Sequence, residues 1–112
     1  MNWKSIDSIE SWNDLVVNSK INSSVFAVFK HSTRCAISSM AKKRIESSWD
    51  KLNSETPIYL VDLIKYRELS NQISSDTNIE HQSPQLILIS SGKSVYDASH
   101  ISISSKAAAK YI

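Results

Sequence analysis

Apolar residues fall along the chain in two rhythms. In "DSIESWNDLVVNSK" (7–20), Ile9, Trp12 and Val16 recur at helical spacing. Asp7 or Ser8 stands ready to cap that helix, with Glu10 three residues after Asp7 as in a capping box. The next run, "SSVFAVFK", is β-branched and aromatic and predicts a buried strand. "CAISSMAKKRIESSWDKL" predicts a long helix with Ile37, Met40, Ala41, Ile45, Ser48, Trp49 and Leu52 on one face. Beyond Pro57, "IYLVDLI" predicts another buried strand, and Tyr66, Leu69 and Ile73 mark a shorter helix. The polar stretch "SSDTNIEHQS" predicts a loop ending at Pro84. "QLILIS" and "KSVYDASH" predict a hairpin turned at Ser91-Gly92. "SISSKAAAKYI" predicts a closing helix with a serine cap, and a short strand near Trp3 precedes everything.

Strands that alternate with helices imply right-handed crossovers and parallel pairing, and the closing hairpin adds antiparallel strands. The prediction is an α/β domain spanning residues 1–112, with a mixed sheet of four to five strands and about four helices covering both faces. That order is the order of the thioredoxin fold.

Composition narrows the function. The 112 residues suit one domain, and 41% apolar with 21% charged is a globular balance. A formal charge of +2, spread along the chain, argues against nucleic acid, which selects a basic stripe. No apolar run approaches the ~20 residues that span a bilayer, and the first ten residues lack the apolar core of a signal peptide. A cytoplasmic monomer without membrane contact is the expectation. Gly92 is the sole glycine, so a glycine-rich phosphate loop is excluded. One cysteine excludes an internal disulfide, and His31, His81 and His100 have no helical ligand spacing, so neither a metal nor a tightly bound cofactor is expected.

Cys35 is therefore the most distinctive residue. It stands where the apolar strand ends and the long helix begins, with Ser38 at the place of a second cysteine in a C-x-x-C pair. A sulfur there faces backbone N–H groups that lack intrahelical partners, and the positive helix end favours the thiolate. Lys30, His31 and Arg34 are close in sequence, and Ser38, one turn on, is placed to donate its O–H to the sulfur. A lone free cysteine is often buried and inert; the strand–Cys–helix order favours the reactive reading. A lone thiol accepts a disulfide from a substrate but needs an outside thiol for its own release. Pro84 precedes the fourth strand, where thioredoxin folds place a cis proline beside the reactive cysteine. X-Pro bonds are usually trans, so the cis expectation at Ser83-Pro84 comes from the fold.

Three segments, "FKHSTRCAIS", "SPQLILISSGK" and "ASHISI", together resemble the monothiol bacilliredoxins of the YtxJ, or BrxC, family. That family carries T-C-P-I-S after K-H-S, then H-x-S-P-Q with a strand and an N-G-K turn, and a late S-H. The resemblance runs over nearly the whole chain. It implies removal of bacillithiol from S-bacillithiolated cytosolic proteins. Bacillithiol is the thiol co-substrate, and Cys35 matches the attacking cysteine with Ser38 as the family's serine. Arg34, Ala36, Ser83, Pro84, Ser99 and His100 match substrate-contacting positions, while Lys30 and His31 match motif positions without an assigned role. Ser99 and His100 are expected at the start of the last helix, where the malate of bacillithiol would find N–H groups. Two residues depart from the pattern: Ala36 replaces a proline and Arg34 a small polar residue. Alternatives to the exchange enzyme are a non-catalytic thioredoxin-like binding module and a single-cysteine redox sensor. Trp3, Trp12 and Trp49 are expected in or beside the core, Lys42-Lys43-Arg44 on a solvated face, and Asp62 at a strand end without a role.

Overall fold

A computed structural model describes residues 1–50 and 55–112 of the chain. The elements are β1 (Trp3–Ser5), α1 (Ile9–Asn22), β2 (Val25–His31), α2 (Ala36–Trp49), β3 (Ile58–Asp62), α3 (Arg67–Thr77), β4 (Gln85–Ser90), β5 (Lys93–Ser99) and α4 (Ser105–Ala108). One-turn 3₁₀ segments cover His100–Ser102 and Ala109–Tyr111.

The five strands form one sheet in the order β1-β3-β2-β4-β5. β1 and β2 both run parallel to β3, whereas β4 runs antiparallel to β2 and β5 to β4. The mixed α/β sheet expected from the sequence is therefore present, with β1 supplying the fifth strand. Strand alternation sends successive side chains of β2 to opposite faces. Ala27 and Phe29 join Ala41, Ile45, Trp49, Ile58, Leu86, Leu88, Ile103 and Ala108 beneath α2 and α4. Phe26 and Val28 join Ile6, Trp12, Val61, Leu69, Ile73, Ile87 and Ile89 beneath α1 and α3. Both layers draw on β2 and β4, which puts these strands at the centre of the domain.

Four expectations need correction. On α2 the buried stripe is Ser38, Ala41, Ile45 and Trp49, while Ile37 and Met40 are 52% and 62% exposed. A serine takes the core-facing position of the first turn and leaves two apolar neighbours in solvent. Leu52 lies outside the described residues. The stretch read as a loop from Ser74 is still helix to Thr77, whose hydroxyl donates to the Ile73 carbonyl before Asn78 turns left-handed at φ 56°. On α1 the cap is Ser8, whose hydroxyl oxygen accepts the Ser11 N–H; Ser11 takes the place expected of Glu10. The closing helix is only four residues, capped by Ser104. Of the tryptophans, Trp12 and Trp49 are buried and Trp3 packs at the core edge.

Candidate functional site

The C-terminal ends of the parallel strands and the start of α2 come together at one edge of the sheet. β2 ends at His31, and residues 32–35 turn back on themselves, the Cys35 N–H donating to the Ser32 carbonyl at 3.2 Å. Cys35 is the N-cap of α2, with extended backbone (φ −110°, ψ 121°). Its side chain makes no capping bond and is partly exposed. Arg34 and Ala36, on either side of it, are exposed. The sulfur therefore sits at the helix end expected of it, where unpaired N–H groups and the macrodipole favour a negative charge.

Ser38 does not address the sulfur. Its hydroxyl is fully buried. It lies 2.6 Å from His31 Nδ1 and accepts the Ser32 N–H at 3.0 Å. His31 is itself buried, and its ring stacks on Phe29 with centroids 5.6 Å apart. The loop that carries Cys35 is thus tied to the end of β2 through one serine. Burial holds the His31 imidazole below its ordinary basicity, reinforced by Lys42 and opposed by Asp62 and Glu46. A neutral ring then accepts at Nδ1 and carries its proton on Nε2, because the buried Ser38 O–H has no other acceptor among its bonds.

Lys30, expected among the positive surroundings of Cys35, faces the other way. Alternation along β2 places it on the α1/α3 face, 0% exposed. Its ammonium donates to the Ser70 carbonyl (3.0 Å), Ser74 Oγ (2.9 Å) and His81 Nδ1 (3.3 Å). Desolvation pulls its pKa down to about 8. Asp62, left without a role by its sequence, caps the turn after β3 by accepting the N–H groups of Ile64 and Lys65.

The Ser83–Pro84 peptide is cis, as expected. Gln85 pairs with Lys30 in the β2–β4 ladder, so the proline turn lies beside the end of β2. The Pro84 carbonyl accepts the His100 N–H at 3.1 Å. Ser99 therefore closes β5 next to the proline turn, His100 opens the one-turn 3₁₀ segment, and the last α-helix starts only at Ser105. His100 has a left-handed φ of 55°, and its carbonyl accepts Arg44 Nη2 from α2. Its N–H, expected to be free for an anion at a helix start, is already used by Pro84. Ser83 Oγ is buried without a partner.

Among the described residues no group of three or more His, Cys, Asp and Glu side chains is placed to hold a metal, and no helix is long and apolar enough to cross a membrane. The site is thus an open thiol at a helix start, flanked by a cis-proline turn and a strand end. Sequence reasoning placed Cys35, Ser38 and the Ser83-Pro84 turn but missed the partner of Ser38. The signal was available: His31 follows Phe29 by two in the strand and so shares its face, the face that α2 covers.

Comparison with known proteins agrees with this geometry. The family model described as "Monothiol bacilliredoxin BrxC" matches residues 4–108. A solved structure described as having a thioredoxin fold is 27% identical, covers 96% of this chain and 93% of its own, and superposes with a TM-score of 0.78. Thioredoxin from Fasciola hepatica is 16% identical over 97% of this chain and 95% of its own, with a TM-score of 0.72. Thioredoxin NaTrxh from Nicotiana alata is 16% identical, with 98% and 89% coverage and a TM-score of 0.75. These two likenesses show the fold.

Proposed function

This chain belongs to the monothiol bacilliredoxin family, whose model spans residues 4–108, and on that premise we propose that it removes bacillithiol from S-bacillithiolated proteins in the cytoplasm. The observation that carries the reading is the placement of its one cysteine: partly exposed, at the N-cap of α2, with no side-chain bond to withdraw it. The thiolate of Cys35 attacks the bacillithiol sulfur of the mixed disulfide. A Cys35–bacillithiol S–S bond forms as the protein–bacillithiol S–S bond breaks, and the protein leaves as a thiolate that takes a proton from solvent. The chain has no second cysteine, so a free thiol must attack next, form a disulfide with bacillithiol and return Cys35.

Binding follows from the same edge. Arg34 is exposed beside the sulfur and offers a charge to the carboxylates of bacillithiol. Ala36 adds an N–H at the first helical position where the family has proline. Ser83 and Pro84 present backbone to the attacked disulfide, and Ser99 and His100 border the same turn. Ser38 positions the loop that carries the nucleophile.

The test is release of bacillithiol from an S-bacillithiolated protein, with a reducing thiol present. Cys35→Ser should bring the rate to background. A rate equal to that of the unaltered chain would end the enzyme reading and leave the binding module.

A further inference from the structure

The chain from His81 to Gln85, which carries the cis-proline turn, is fastened at both ends to one residue of the sheet. Gln85, at its end, is the ladder partner of Lys30 on β2, and opposite residues of an antiparallel pair lie side by side on one face. Both are buried. At the start of the same stretch the Lys30 ammonium donates to His81 Nδ1 at 3.3 Å, and Gln85 Nε2 donates to the Glu80 carbonyl at 3.0 Å. The Pro84 carbonyl accepts the His100 N–H at 3.1 Å.

We propose that Lys30 is a positioning residue for the Ser83-Pro84 turn, acting through His81, and that it governs how a disulfide docks on the turn without changing the thiol itself. The inference rests on the reading that Ser83 and Pro84 present backbone to the attacked disulfide.

A buried cation with no carboxylate among its partners is costly, and an unbranched apolar side chain would fill the same space without that cost. What the ammonium supplies is direction. Its protons go to the Ser70 carbonyl and Ser74 Oγ on α3 and to His81 before the turn, so one group sets the spacing of strand, helix and turn. The His81 ring suits its part. Burial, then Lys30 and Arg67, keep it neutral, and Nδ1 offers a lone pair that also meets the Ser70 hydroxyl at 3.2 Å. Spacing matters because a thiolate attacks a disulfide in line with the bond it breaks, and a misplacement of about 1 Å can lower such a rate by about 10²-fold.

The experiment compares two electrophiles at Cys35. Iodoacetamide is small and reads the thiol alone. A short peptide whose cysteine is capped as a mixed disulfide with 2-mercaptoethanol must lie against the turn. Neither contains bacillithiol, so the result is independent of the substrate proposed above. His81→Ala alters a half-buried residue outside both core clusters. It should slow disulfide exchange by about tenfold and leave alkylation within about twofold. His81→Asn, which keeps an acceptor near Nδ1, should recover most of the exchange rate. Lys30→Met keeps the stem without the donors and should show the same selective loss, and the variant combining it with His81→Ala should lose no more than either alone. Equal losses with both electrophiles, or exchange unchanged in His81→Ala, overturn the proposal. A second measurement needs no substrate: hydrogen exchange of the His100 N–H, whose acceptor is Pro84. In His81→Ala it should quicken by about tenfold while the amides of β2 keep their protection, and unchanged protection at His100 overturns the proposal.

Discussion

Lys30 and His31 are adjacent in β2, both buried and both made less basic by desolvation, yet they belong to different parts of the molecule. Lys30 points beneath α1 and α3, and its three protons are matched by the Ser70 carbonyl, Ser74 Oγ and His81 Nδ1, none of which carries a negative charge. His31 points beneath α2, and its Nδ1 meets the serine that ties down the cysteine loop. One step along a strand separates a group that holds α3 and the 78–84 loop to the sheet from a group that braces the loop carrying the nucleophile. The difference shows that closeness in sequence to a reactive residue is no measure of its electrostatic surroundings; the face of the strand decides.

Removing Lys30 should break the comparison most visibly. Lys30→Ala deletes buried methylenes and leaves the Ser70 carbonyl and the Ser74 and His81 side chains without their donor. It should lower the unfolding free energy by about 2–4 kcal/mol, read by urea denaturation. The alkylation rate of Cys35, measured below the unfolding transition, should stay within about twofold of the unaltered chain, since Lys30 faces away from it. A matching fall in alkylation would mean that the two faces are one electrostatic unit.

A smaller effect sharpens the same contrast. With its folded pKa near 8 against the ordinary lysine value of 10.5, Lys30 is neutral in the fold and protonated in the unfolded chain between those pH values. The unfolded state then binds more protons, so stability rises with pH across that window. The gain is on the order of 2 kcal/mol after allowance for water reaching the amine. Lys30→Met, which keeps the stem and cannot titrate, should lack this rise. An unchanged alkaline limb in the variant would show that the ammonium is far better solvated than its burial implies.

The sheet, the hairpin and the cysteine at the helix start are legible in the sequence because each rests on a local signal: β-branched runs, Ser91-Gly92, a cysteine between strand and helix. The cis proline is legible only once the fold is assigned, since an X-Pro bond alone favours trans. What is not legible follows from polar residues in apolar places. Ser38 at a core position shifts the apparent stripe of α2 toward Ile37 and Met40, which are exposed. Ser74, whose hydroxyl accepts from Lys30, and the polar residues that follow it make the end of α3 look like loop. His100 opens a one-turn 3₁₀ segment ahead of the last α-helix, and its N–H is taken by Pro84, a contact between residues sixteen apart that no local pattern encodes. In each case the misleading residue takes part in a hydrogen bond to another part of the fold.

The smallest expected effect separates the two networks at acid pH. His31 and His81 each have a pKa lowered chiefly by burial, with Lys42 adding to the effect at His31 and Lys30 and Arg67 at His81. A histidine held neutral in the fold is protonated first in the unfolded chain, so its contribution to stability is lost as pH falls through the ordinary histidine value of 6.5. His31→Asn and His81→Asn should therefore each flatten the fall of unfolding free energy between pH 7 and pH 5. The two variants part in their chemistry. His81→Asn, confined to the Lys30 network, should leave the pH profile of Cys35 alkylation where it was, because Lys30 and His81 lie across the sheet from the sulfur. His31→Asn should flatten the stability curve and lower the alkylation rate at the same pH. Equal alkylation profiles for the two variants would reduce His31 to a second buried base like His81, and adjacency along β2 would then carry no division of labour at all.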